Sequence, residues 1–209
     1  MVKLELKKGK LVYLIGLTGN IACGKSAVLE LLAQRGAQVI DADRVVHRLM
    51  EPRGTIYGLV VEQFGEDILG ETDTQGKRVI DRRKLGAIVF TDPLQLRRLE
   101  EISHPLVRVD LLRQIQEATA SVVVLDAVKL IESGLASGCD ALWVVTCQPE
   151  IQLERLMQRN NFSQEEALLR IQAQPPQAEK VALASVVIDN GGNLKETEQQ
   201  VQDAWEKIG

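Results

Sequence analysis

Apolar and polar positions along this chain fall into blocks rather than into strict alternation. Residues 11–17 are apolar almost throughout and read as a buried strand. Residues 25–35 carry Val28, Leu29, Leu31 and Leu32 at helical spacing, and Gly36 supplies a stop, so a helix is expected there. Short β-branched runs follow at 38–40, 122–125, 141–145 and 186–188. Continuous apolar strands separated by helices imply parallel strands covered on both faces. The expected architecture is α/β, a doubly wound parallel sheet.

Two stretches interrupt that rhythm. Residues 44–120 show no convincing strand and read as a helical insertion. In it, Asp92-Pro93 is an N-cap with proline at the first helical position, and His104-Pro105 is a candidate second opening. Residues 150–182 are helical and polar, with Ser163 and Glu166 spaced as a capping box and Gln174-Pro175-Pro176 as the stop. Residues 194–207 form a terminal helix, with Leu194, Val201, Trp205 and Ile208 expected on roughly one face. The chain therefore reads as a core (about 11–43, 121–149 and 183–209), a helical subdomain (about 44–120) and a lid-like segment (about 150–182). The first ten residues are expected to form a surface strand or a frayed end.

Composition narrows the function. Of 209 residues 45% are apolar and 26% charged, which excludes wholesale disorder. No apolar run approaches the roughly 20 residues of a membrane span. The basic start of the chain lacks the apolar segment and cleavage signature of a secretory signal. A net charge of −4 argues against a nucleic-acid coat, whose surface must be basic. Cys23, Cys139 and Cys147 fit neither a zinc site nor a disulfide framework, so a reducing cytoplasm is expected.

Gly19, Asn20, Ile21, Ala22, Cys23, Gly24, Lys25 and Ser26 match G-x-x-x-x-G-K-[ST] in full, between a strand and a helix that runs on through Ala27. Backbone N–H groups of such a loop wrap phosphate oxygens, and the helix N-terminus adds its positive dipole end. Lys25 reaches the β- and γ-phosphates, and the Ser26 hydroxyl is a ligand for Mg²⁺. The fold expectation sharpens to a P-loop NTPase-type sheet with a helical substrate-binding insertion and a helical lid. Cys23 is read as small filler, because loop chemistry needs no thiol.

Asp41 and Asp43 follow the second strand, at the sheet edge where ligands bind in doubly wound folds. In an extended segment both would share a face. Asp43 is a candidate to orient or deprotonate an acceptor hydroxyl, against the alternative of capping the next helix; for Asp41 both readings stand. Asp126 ends a four-residue apolar run as in a Walker B strand, a candidate Mg²⁺ helper or a plain strand-end residue. Arg155 and Arg159 share a helix face and suit a lid that closes over phosphates, while Arg170 and Lys180 read as solvated charge. His47 and His104 are read as structural from the residues alone. These features describe ATP-dependent phosphorylation of a small molecule; a guanine-reading N-K-x-D sequence is absent.

At this combination the sequence resembles the dephospho-coenzyme A kinases. The resembling pieces run in order from about residue 11 to 192, among them the loop, the 36–43 segment, Val45 to Pro52, Phe64-Gly65, Asp81-Arg82, Val89-Phe90, Ile102-Ser103-His104-Pro105, Glu132-Ser133-Gly134-Leu135, Arg155 to Arg159, Arg170 to Gln174, and Val187 to Gly191. The resemblance implies transfer from ATP, with Mg²⁺, to the ribose 3′-hydroxyl of dephospho-coenzyme A. It implies Asp43 as base or acceptor-orienting group and Arg159 as a lid arginine. It also implies His104 on the substrate side, and a monomer or weak homo-oligomer. Other acceptors, such as a nucleoside or nucleoside monophosphate, and a non-catalytic ATP-binding regulator are the competing readings. The chain departs from the family at Asn20 to Cys23, where Gly-Ile-Gly-Ser is usual. It departs again at Ala127 to Leu130, where a Pro-Leu-Leu-like segment is usual; Lys129 there is a candidate substrate contact.

Overall fold

A computed structural model describes residues 12–208. Leu11, the expected start of the first strand, and the expected strand or frayed end at 1–10 lie outside the described residues. In chain order the elements are β1 (Tyr13–Gly19), α1 (Lys25–Gln34), β2 (Gln38–Asp41), α2 (Ala42–Leu49), α3 (Tyr57–Phe64), β3 (Leu69–Thr72), β4 (Arg78–Ile80), α4 (Arg82–Val89) and α5 (Pro93–Glu117). They continue with β5 (Val122–Asp126), β6 (Ala141–Thr146), α6 (Pro149–Asn160), α7 (Gln164–Gln172), α8 (Gln177–Val181), β7 (Val186–Asp189) and α9 (Leu194–Trp205). The chain divides into two compact units, one up to Ile40 together with Ile115 onward, the other Asp41–Gln114.

The first unit is a five-stranded sheet in the order β2-β5-β1-β6-β7. β1 runs parallel to both β5 and β6, with Ile15 level with Val124 on one side and Ala141 on the other. A strand paired on both edges and covered on both faces must be apolar throughout, and Leu14, Ile15 and Leu17 are each at most 1% exposed. Val28, Leu31 and Leu32 of α1, Trp143 and Val145 of β6, and Val201 of α9 complete one cluster with Ile15 and Leu17. Burying each such side chain contributes about 1.5–3 kcal/mol, so this cluster anchors the sheet edge on which the loop after β1 rests. In α9, Val201 is buried and Trp205 packs on the cluster, as does Ile208 just past the helix end, but Leu194 is 62% exposed. It is the first helical residue, and the Asn193–Glu196 capping box fixes the helix start there.

The second unit departs from the strand-free expectation. β3 and β4 pair antiparallel, with Leu69 opposite Ile80 and Thr72 opposite Arg78. Asp73 closes the turn by accepting from the N–H groups of Gln75 and Lys77, and Gly76 takes the positive φ. Strands of four and three residues are too short to show a period of two. Asp73 and Gly76 were the readable signal. A second correction concerns His104-Pro105, which opens no helix. Pro105 lies inside the continuous 25-residue α5, which begins at Pro93 as expected with Asp92 accepting from Leu94 N–H. Proline removes one internal hydrogen bond, and the buried positions Ser103, Val107 and Leu111 hold the helix across it.

Candidate functional site

β1 delivers the chain to the carboxyl edge of the sheet at Gly19, and α1 begins six residues later at Lys25. Between them Ala22 (φ 61) and Gly24 (φ 83) adopt left-handed backbone, which folds the loop back over the helix N-terminus. Gly24 is free to do so; Ala22 pays for its Cβ with about 1–2 kcal/mol. The first turn of α1 has no acidic residue to neutralise its dipole. A cavity of about 710 Å³ opens here, lined by the loop together with Lys25, Ser26, Val128, Arg155, Gln158, Arg159 and Gln174. The expected phosphate loop and the two candidate arginines therefore meet at one cavity.

Lys25 Nζ donates to Asp126 Oδ1, the last residue of β5. Their side chains are only 17% and 11% exposed, so the pair is largely shielded from solvent. Arg155 Nη1 is buried and finds no partner among the described residues. A buried guanidinium N–H without an acceptor is costly, and an anion in this cavity would satisfy it. Arg159 sits in the last turn of α6 with Nε donating to Asn160 Oδ1.

Several bracing residues were not legible in the sequence. Gln174 accepts from Ile21 N–H at 2.7 Å while Gln152 donates to Ile21 C=O at 2.8 Å, so both faces of that residue are gripped. Asn20 donates to Pro175 C=O and Cys23 Sγ to Gln177 Oε1. These amides sit in a stretch of helical, polar sequence, and nothing in their spacing marks them. Lys180 corrects the expectation of solvated charge: it is 3% exposed, donates to Val128 C=O at 3.2 Å and pairs with Glu132. Thr18 Oγ1 donates to the same carbonyl, which ties down the turn that follows Asp126. Arg170 does stay on the surface, its guanidinium 3.9 Å over the Phe162 ring. Cys23 is fully buried; its hydrogen bond with the Cys147 thiol and its burial both raise its pKa, so it stays protonated. That fits filler, not a nucleophile.

Lys129 lies exposed in the turn after β5, next to Val128 of the cavity lining. The remaining candidates belong to the second unit. Asp41 is the N-cap of α2, accepting from Arg44 N–H at 2.9 Å. Since α2 starts at Ala42, Asp41 and Asp43 do not share an extended face, and Asp43 occupies the exposed first turn of the helix. The capping role considered for Asp43 is thus taken by Asp41. His104 is half-buried in mid-helix and caps nothing, and His47 is an exposed residue of α2. Below them Asp110 binds Arg48 and Arg113 and accepts from Gln114. Burial pushes the Asp110 carboxyl up, but the bonds from Arg113 and Gln114 and the charge of Arg48 outweigh it and hold the pKa below the usual carboxylate value.

The sequence model of the dephospho-CoA kinase family matches residues 13–196. A protein of Carboxydothermus hydrogenoformans named dephospho-CoA kinase is 45% identical over 197 residues, 93% of either chain. Among solved structures, TT1252 from Thermus thermophilus superposes with a TM-score of 0.82 at 32% identity, covering 96% of this chain and all of that one. Dephospho-CoA kinase from Campylobacter jejuni gives 0.67 at 27% identity, covering 93% and 96%.

Proposed function

The chain belongs to the dephospho-CoA kinase family, and from that premise we propose that it transfers the γ-phosphoryl group of ATP to the ribose 3′-hydroxyl of dephospho-CoA, releasing CoA and ADP. The observation that carries this reading is the cavity that brings the residues of the loop, Lys25 and the unpartnered Arg155 Nη1 together. Transferring a phosphoryl group demands little covalent help from the protein and much placed positive charge. The loop amides and the α1 dipole hold the β-phosphate, and Lys25 exchanges Asp126 for the phosphate oxygens. Arg155 and Arg159 face the charge that spreads over the transferred group.

Ser26 is the protein ligand for Mg²⁺ in this reading. Mg²⁺ needs few protein ligands, because water and the nucleotide's own phosphates supply the rest. Bound there, Mg²⁺ supplies charge neutralisation on the phosphate oxygens. Asp43 accepts the proton of the acceptor hydroxyl or orients it, and the 41–114 unit supplies the acceptor's contacts, with His104 and Asp41 on its side. Lys129 adds a cation toward the anionic acceptor. Residues 150–182 act as the lid that excludes water.

The test is an acceptor panel with ATP and Mg²⁺, the product identified by mass and its phosphate located by NMR. Phosphate on the 3′-oxygen of dephospho-CoA supports the reading. Transfer only to nucleosides or nucleoside monophosphates overturns the acceptor, and ATP binding without any transfer overturns the enzyme.

A further inference from the structure

A loop that holds phosphate through its N–H groups must turn its carbonyls the other way, and buried carbonyls need donors. Asn190, in the connection between β7 and α9, provides them. Its Nδ2 donates to Cys23 C=O at 2.9 Å and lies 3.5 Å from Gly24 C=O. Its Oδ1 accepts from Thr197 Oγ1 at 2.9 Å, and its backbone N–H donates to Thr146 C=O at the end of β6. Asn190 is 6% exposed and Thr197 not at all. The amide is therefore locked in one orientation: Thr197 holds the oxygen, which leaves the nitrogen facing the loop.

In a trans peptide the C=O and the following N–H point in opposite directions. Asn190 fixes Cys23 C=O and sits beside Gly24 C=O, which also accepts from Ala27 N–H at 3.0 Å, so the N–H groups of Gly24 and Lys25 are aimed away from Asn190. Both residues line the cavity. The same packing makes Gly24 obligatory, because a Cβ there would meet the Asn190 amide. We propose that Asn190, oriented by Thr197, is a positioning residue that sets the N–H groups of Gly24 and Lys25 toward the nucleotide's phosphates. This rests on the phosphate-loop reading above, but not on the acceptor.

The experiment is calorimetric titration of the full chain with ADP and Mg²⁺, no acceptor present, on the wild type, Asn190→Asp, Thr197→Val and Thr197→Ser, each checked for folding by its thermal transition. Asn190→Asp keeps the shape but turns a carboxylate on two carbonyls, and ADP affinity should fall about tenfold or more. Thr197→Val frees the amide to rotate and should cost severalfold, while Thr197→Ser, which keeps the hydroxyl, should restore affinity. In turnover, the KM for ATP should rise with the KM for dephospho-CoA unmoved. A folded Asn190→Asp protein that binds ADP within about twofold of wild type overturns the proposal. If Asn190→Asp does not fold, Thr197→Val and Thr197→Ser decide, and equal affinity in the two overturns it. A wild-type chain that binds no ADP removes the kinase reading itself, which separates the two failures.

Discussion

Lys25 at the start of α1 and Asp126 at the end of β5 form an ion pair between residues 101 apart in the chain, brought side by side because β5 is the parallel neighbour of β1. Removing either partner takes the opposite charge away from a largely buried group. Lys25→Ala and Asp126→Ala are each expected to destabilise the fold, and the double variant by less than their sum. A urea-unfolding double-mutant cycle should give a coupling of about 1–3 kcal/mol. Strict additivity would contradict the pair. Lys25→Ala should also abolish most ATP-dependent turnover, whereas full activity would contradict the loop's role.

Asp43 occupies the first turn of α2, with its capping duty taken over by Asp41. Asp43→Asn is expected to lower kcat by about 10²–10⁴-fold while leaving ATP affinity nearly unchanged. Steady-state kinetics together with ADP titration separates the two. Equal losses in both would contradict a role toward the acceptor.

Most of the sheet was legible because its three central strands, β1, β5 and β6, are buried apolar runs, and the short edge strands β2 and β7 still carry β-branched residues although Val39 and Val187 are exposed. The loop was legible because it needs fixed residue types at fixed spacing. The β3–β4 hairpin was not, since seven residues cannot display a periodicity. Nor was the passage of α5 through Pro105, since local chemistry says stop and only the buried positions on either side say continue. Gln152, Gln174, Lys180 and Asn190 escaped for a different reason. Their partners are backbone carbonyls and amides more than a hundred residues away for Gln152, Gln174 and Asn190, and 52 away for Lys180. A backbone group has no residue type, so it leaves no trace in the sequence.

Asp110 gives a pH test of the second unit. Its folded pKa is held below the ordinary carboxylate value, so its stabilising effect is present above the unfolded pKa of about 3.9 and is lost as pH falls through the folded one. Asp110→Asn should therefore lower the thermal midpoint by a few degrees at neutral pH, and the gap to wild type should close as the pH drops below about 3.9. Melting curves across that range check it; a gap that persists in strong acid would mean packing, not charge, sets the effect.

Cys23 sits inside the loop yet stays protonated. Cys23→Ser keeps a small donor for Gln177 and is expected to retain turnover within about threefold, with alkylation of Cys23 itself slow at neutral pH. Loss of most activity on this substitution would assign the thiol a chemical role.

The most direct measurement is ADP release by the full chain with ATP and Mg²⁺, run with and without dephospho-CoA and followed by the mass of the product. The expected result is ADP formed only when dephospho-CoA is present, in one-to-one proportion with CoA. ADP released at the same rate without dephospho-CoA, or no CoA in the product, would contradict the assignment of this cavity to phosphoryl transfer onto that acceptor.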